Sequence, residues 1–334
     1  MQRPFNILFL GSDNFSVDVF KAIYQKKPRR DLDLYNNLSV ITPPPARTGR
    51  RLKELRIPPL LALSNELQLR SFTPRDVELA DIYTYLDTPP DVILTASYGH
   101  LLPSSLLNLV PPKQAINVHP SLLPKLRGAA PIQWSIARQL HETGVSIQTM
   151  QDDVFDSGDI LYQKSYRITD RPTYNSLSKD LGQIAAECAT NVLENLNYYI
   201  HNSRKQNPSE ITHAPKVHRK IGFVDFNKMS ASVVDSRYRA FGHQRPLSGN
   251  LLQSNTLHQF HDIEPYPGII EILEDVQPGS ATLLGDKLII KCADMSYLQV
   301  KSLKPPGKRI MSAHEWWNGH KHDLKVVNFT KPLL

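Results

Sequence analysis

Asn117 and His119 stand two residues apart at the end of the apolar run 115–118. That run predicts a strand, so the two side chains point to the same side. An amide N–H and an imidazole converging on one point suit polarisation of a carbonyl and proton handling near neutral pH. Pro120 sets the chain direction just after the histidine. For an isolated Asn-x-His, a sheet-capping asparagine beside a satisfied structural histidine is the plainer reading. A carboxylate facing His119 would orient the ring and raise its basicity. Four are available, because Asp152, Asp153, Asp156 and Asp159 crowd one stretch after the apolar run 145–150, with Ser157-Gly158 between the last two. Spacing does not choose among them, though an EF-hand loop is excluded, since the fixed glycine and terminal Glu of that pattern are absent.

The elements that must position these residues alternate in type. Residues 5–10 read as a buried strand ended by Gly11, and Ser12 is a candidate cap for a helix with Phe15, Val19, Phe20 and Ile23 on one face. Residues 38–41 read as a second strand, ended by Pro43-Pro44-Pro45. Strands at 92–96 and 115–118 follow, separated by an apolar helix around 101–109. A helix is expected over 129–140 with Pro131 in its first turn, a strand over 145–150, and one long amphipathic helix over 177–200. This alternation predicts an α/β fold, a doubly wound, mainly parallel, Rossmann-like sheet. The first βα junction, Gly11-Ser-Asp-Asn-Phe15, carries neither a dinucleotide fingerprint nor a Walker loop, which argues against hydride transfer. Residues 201–216 are polar and read as a linker. Beyond them a helix is expected over 232–241, then short strands at 268–273, 281–284, 288–292 and 298–303, at spacings suited to a small OB-like β-barrel. The expected division is a catalytic domain over 1–203, a linker over 204–218 and a barrel domain over 219–334.

Composition narrows the function classes. The 334 residues are 40% hydrophobic, enough for a sizeable core and against global disorder. No stretch approaches the ~18 apolar residues of a membrane span. Two distant cysteines, Cys188 and Cys292, exclude a disulfide scaffold and a zinc finger. The net charge of +7 is unevenly spread. Residues 205–334 hold 17 basic and 12 acidic side chains, while Arg47, Arg50, Arg51, Lys53 and Arg56 fall within ten residues and are opposed only by Glu54. Such patches suit a polyanion partner.

The run Asn117-Val-His119-Pro-Ser121-Leu-Leu-Pro124, then Arg127-Gly-Ala-Ala-Pro-Ile-Gln133, Glu142-Thr-Gly-Val145 and Asp156-Ser-Gly-Asp159 is similar to the folate-dependent formyltransferases. Within that superfamily it resembles the methionyl-tRNA formyltransferase family. The Arg-Gly-Ala-Ala-Pro-Ile-Gln run, the segment from Lys301 to Ala313 and the basic loop 45–53 carry the distinction. The Asn-x-His and Asp set is shared with glycinamide ribonucleotide formyltransferase and with the hydrolase domain of formyltetrahydrofolate dehydrogenase. The resemblance implies transfer of a formyl group from 10-formyltetrahydrofolate to the α-amino group of methionyl-initiator tRNA, for translation initiation, with no metal. It nominates Asn117, His119 and Asp156 as catalytic and Asp159 as a loop-fixing residue. It also assigns Ser121, Leu122, Leu123 and Pro124 to the reduced-folate site, and Arg47, Arg50, Arg51 and Lys53 to the tRNA acceptor end. The alternatives are a folate-dependent formyltransferase or hydrolase acting on a small amine, and a catalytically idle tRNA-binding homologue. A monomer without membrane association is expected. The first strand starts by Phe5, which leaves no room for an ordinary cleavable presequence. Set against that, the basic charge and the departure of the basic loop from the family's usual glycine-rich wording point to the mitochondrial matrix, with the bacterial cytoplasm as the alternative.

Overall fold

Phe5–Gly11 (β1) is apolar on both faces and buried almost throughout, as a central parallel strand requires. The computed structural model describes residues 4–26, 34–48, 53–73, 82, 86–151, 154–319 and 325–332. After β1 come α1 (Asn14–Tyr24), β2 (Tyr35–Ile41), β3 (Ala46–Thr48), β4 (Glu54–Arg56), α2 (Pro59–Glu66), β5 (Ser71–Phe72), β6 (Val92–Ala96), α3 (Ser104–Leu107), β7 (Ala115–His119), α4 (Pro131–Ala137), β8 (Glu142–Thr149), β9 (Ile160–Arg167), α5 (Tyr174–Glu194) and α6 (Leu196–His201). Among the described residues the sheet order is β5-β2-β1-β6-β7-β8-β9. Pairing is parallel as far as β7 and antiparallel through β8 and β9. The expected mainly parallel, Rossmann-like sheet is therefore what forms.

α1 buries the predicted face of Phe15, Val19, Phe20 and Ile23. Phe20 meets Phe9 of β1 edge-on at 5.3 Å, and each such buried side chain contributes roughly 1.5–3 kcal/mol. The cap differs from expectation. Asp13 accepts from the Ser16 N–H at 3.1 Å, while the Ser12 hydroxyl donates to the Ser97 carbonyl at 2.6 Å. The helix expected around 101–109 shrinks to the single turn α3, because Pro103 occupies its N-cap position. The long helix over 177–200 breaks at Asn195 (φ −129°, ψ 33°). The Asn195 side chain donates to the Asn191 carbonyl at 3.1 Å, competing with the helical ladder.

Two compact units result: Met1–Pro131 with His141–Ile168 and Asn175–Pro215, and Ile132–Leu140 with Thr169–Tyr174 and Lys216–Leu334. The stretch read as a linker is bonded into the first unit over much of its length. Arg204 exchanges backbone hydrogen bonds with Ile160 at 2.8 and 3.0 Å. Arg127 N–H donates to the Thr212 carbonyl at 2.9 Å, and Ala214 N–H to the Arg127 carbonyl at 2.7 Å.

The second unit contains α7 (Ala231–Phe241), β10 (Leu247–Leu251), β11 (Thr256–Tyr266), β12 (Ser280–Leu284), β13 (Lys287–Lys291), β14 (Tyr297–Lys304), β15 (Met311–Ser312), α8 (Ala313–Asn318) and β16 (Val327–Thr330). β11-β10-β16-β12-β13-β14 closes on itself through β11–β14, leaving only β15 as an added edge among the described residues. Closure removes open strand edges. Phe226, Phe260, Trp316 and Phe329 fill the barrel, and α4 joins this unit, with Trp134 edge-on to Phe241 at 5.5 Å. Residues 268–273, expected as a strand, instead form a short helical turn at Glu271–Leu273 that leaves Ile269 74% exposed. Pro267 ahead of the segment removes a ladder donor.

Candidate active site

Sheet register builds the site. Asn117 on β7 lies opposite Thr95 on β6 and Gln148 on β8, so the three side chains form one row across neighbouring strands. Thr95 Oγ1 donates to Asn117 Oδ1 at 2.6 Å. The Asn117 amide therefore presents its N–H₂ end, and one N–H reaches Asp156 Oδ1 at 3.4 Å. His119 shares that side of β7 and is 4% exposed. Its Nε2 donates to the Leu126 carbonyl at 3.0 Å, and its Nδ1 faces Asp156 Oδ1 at 3.3 Å. Of the aspartates that sequence left open, the structure brings Asp156 to the histidine. Asp152 and Asp153 lie outside the described residues.

Asp156 is held from several sides. Gly128 N–H donates to its Oδ2 at 2.8 Å and Gln148 Nε2 to its Oδ1 at 3.0 Å. Burial raises the carboxyl pKa, but the facing imidazole and these donors more than reverse that, leaving it below its ordinary value. Burial also works against charge on His119. The Asp156 carboxylate, its hydrogen bond and the Leu126 carbonyl outweigh burial and lift the imidazole above its ordinary value. The two groups thus favour each other's charged forms, the carboxylate holding a proton on the imidazole and the imidazole holding the carboxyl ionised. Next to them Asn117, only partly buried, offers an N–H able to meet a developing oxyanion.

Comparison with known proteins gives this geometry a context. Residues 5–193 match the Formyl transferase family and residues 216–321 match Formyl transferase, C-terminal domain. A methionyl-tRNA formyltransferase of Limosilactobacillus fermentum is 31% identical over 95% of this chain and 96% of its own length. The chain belongs to the methionyl-tRNA formyltransferase family. The mitochondrial methionyl-tRNA formyltransferase of Bos taurus is 27% identical over 96% of this chain and 78% of its own length. Among solved structures, the sugar 3N-formyl transferase WlaRD, crystallised with dTDP and 5-N-formyl-THF, shares the fold at a TM-score of 0.61 and 16% identity, covering 92% of this chain and 100% of that one. HypX from Aquifex aeolicus in complex with tetrahydrofolic acid does so at 0.56 and 15% identity, covering 94% of this chain and 47% of that one.

The family's other nominated residues fall as follows. Asp159 pairs with Lys113 at 3.0 Å, and its backbone exchanges bonds with Thr149, donating to Oγ1 and accepting from N–H, both at 2.9 Å. Ser121, Leu123 and Pro124 are buried and Leu122 is half-buried. The Ser121 hydroxyl donates to the Lys125 carbonyl at 2.6 Å, so it serves the loop itself. Arg47 is exposed on β3 and Lys53 is exposed just ahead of β4, in a hairpin in which β3 pairs antiparallel with β4. Arg50 and Arg51 lie outside the described residues. Thr95, Gln148, Gly128 and Gln206 were not found from sequence. Thr95 and Gln148 are visible only through register, and Gln206 sits in the stretch read as a linker.

Proposed function

We propose that this family member transfers the formyl group of 10-formyltetrahydrofolate to the α-amino group of methionyl-initiator tRNA. The observation that carries the reading is the convergence of Asn117 and His119, on β7, with Asp156 from the loop that follows β8. A neutral amine attacks the formyl carbon, its lone pair forming the new C–N bond while the carbonyl π pair moves to oxygen. The Asn117 N–H donates to that oxyanion, and the nearby imidazolium stabilises it by charge. Both imidazole nitrogens are bonded inside the protein. His119 therefore acts first through Asp156, and it becomes a direct donor only if the Leu126 bond opens. The carboxylate accepts the proton released by the amine. Collapse of the intermediate breaks the bond to N10, which takes up that proton and leaves as tetrahydrofolate.

The exposed Arg47 and Lys53 support a tRNA contact on the hairpin, with Arg50 and Arg51, which lie between them in sequence, as further phosphate partners. Ser121–Pro124 would back the folate site as a scaffold, through Leu122. The net charge of +7 supports a mitochondrial-matrix location, checked by co-fractionation of a tagged chain with matrix markers. A monomer is expected in analytical ultracentrifugation.

Labelled 10-formyltetrahydrofolate offered with methionyl-tRNA, with a small amine or with no acceptor tests the activity. Label is expected only on the aminoacylated tRNA. Transfer to the small amine, or release without acceptor, overturns the reading.

A further inference from the structure

Gln206 occupies an unusual position. Its Nε2 lies 2.9 Å from the Asp156 carbonyl, 2.8 Å from the Gly158 carbonyl and 3.1 Å from Gln148 Oε1, and donates among them. Its Oε1 accepts both Nε and Nη2 of Arg127, at 3.0 and 2.6 Å. One amide thus joins the loop that carries Asp156, the Gln148 that donates to its carboxylate, and the 124–130 loop whose Gly128 also donates to it.

Such bracing answers a physical need. Asp156 has φ 55°, a left-handed conformation that costs a non-glycine residue energy and persists only where surroundings impose it. The Gln206 amide holds the carbonyl of the strained residue itself and that of Gly158 two residues on. The residues that follow supply a second set of ties, since Leu126 N–H donates to Thr212 Oγ1 at 2.8 Å and Ala130 N–H to the Ala214 carbonyl at 3.1 Å. Residues 204–214 therefore lie as a strap over both active-site loops.

We propose that Gln206 is a positioning residue, fixing Asp156 against His119 through the Asp156 backbone, Gln148 and Arg127. It touches no reacting atom. The inference relies on the formyl-transfer reading only for its activity readout. The charged groups facing His119 are Asp156 and Arg127, so a loosened Asp156 is reported directly by the imidazole titration.

The experiment follows the His119 ring by NMR across pH in the full-length protein, in wild type, Gln206→Ala and Gln206→Met, the last keeping the side-chain length without the bonds. Thermal melting of each variant establishes that it is folded. The expected result is a fall of about one unit in the His119 midpoint, as the opposite charge withdraws. Formyl transfer is expected to lose about tenfold to a hundredfold in kcat, with KM for tRNA changed by less than about twofold, as for a residue acting on the chemical step. A folded Gln206→Met with a wild-type His119 midpoint overturns the proposal. If wild type transfers no formyl group yet the midpoint moves as described, the positioning role stands and the activity reading alone falls.

Discussion

Asn117, His119 and Asp156 differ in how they would fail. Removing the Asn117 amide deletes a partly buried donor placed beside the His119–Asp156 pair, so Asn117→Ala is expected to lose ~10²–10³-fold in kcat with little change in folding, measured by steady-state formyl transfer and melting. Thr95→Val leaves the amide in place but frees it to turn, and a smaller loss, about tenfold, is expected in the same assay. The His119–Asp156 pair has a pH signature. With its imidazole held above the ordinary 6.5, His119 contributes stability that is full below that value and lost as pH rises through the raised one. Asp156, held below the ordinary 3.8, contributes stability that is present above that value and lost as pH falls through the lowered one. The stability difference between wild type and Asp156→Asn should therefore be largest at roughly pH 4–6.5, about 3 kcal/mol for a broken buried pair, and shrink above it. Urea denaturation at a series of pH values measures this, and a difference independent of pH would contradict the pairing. The Asn-x-His spacing was legible because alternation along a strand is a local rule. The choice of Asp156 over its neighbours was left to the resemblance, since loop conformation decides which carboxylate turns inward.

Among the elements, the turn at Gly158 leaves no room for a side chain. A Cβ added to Gly158 would lie 1.7 Å from the Thr149 carbonyl oxygen, so the loop could not keep its bonds to β8. Gly158→Ala is expected to cost about 3 kcal/mol and to weaken transfer as well, read from chemical denaturation and kcat together. Gly128 is similarly bound, with φ +119° and the Ala214 carbonyl oxygen 2.8 Å from where a Cβ would stand. It must also offer its N–H to Asp156. Where elements departed from sequence expectation, a single polar or proline residue was decisive. Asn195 interrupts α5 and α6, Pro103 trims α3, and Asp13 displaces Ser12 as the cap of α1. Apolar periodicity marks which segments are helical or extended, but these ends depend on side-chain bonds that compete with the backbone.

On the scale of the whole chain, charge is the most testable property. Residues 47–56 carry four net positive charges and residues 205–334 five, which predicts tRNA affinity that weakens steeply with salt. Replacing Arg47 and Lys53 together with alanine should weaken binding and lower the slope of log affinity against log salt by roughly 0.7–0.9 for each phosphate that is no longer neutralised. Filter binding at several salt concentrations measures both effects, and an unchanged slope would remove the hairpin from the interface. The sequence by itself determined the alternation of strands and helices, the α/β class, the β-rich second part, the concentration of charge and the Asn-x-His pair. All of these depend on neighbours within a few residues or on composition. Only the tertiary structure decided that Thr95, Asn117 and Gln148 share a row, which six strands pair to close the expected barrel, and that residues 204–214, read from polar composition as a linker, are bonded to both active-site loops. Those outcomes rest on strand register and on hydrogen bonds between residues as far as 86 positions apart, and no local pattern encodes such pairings.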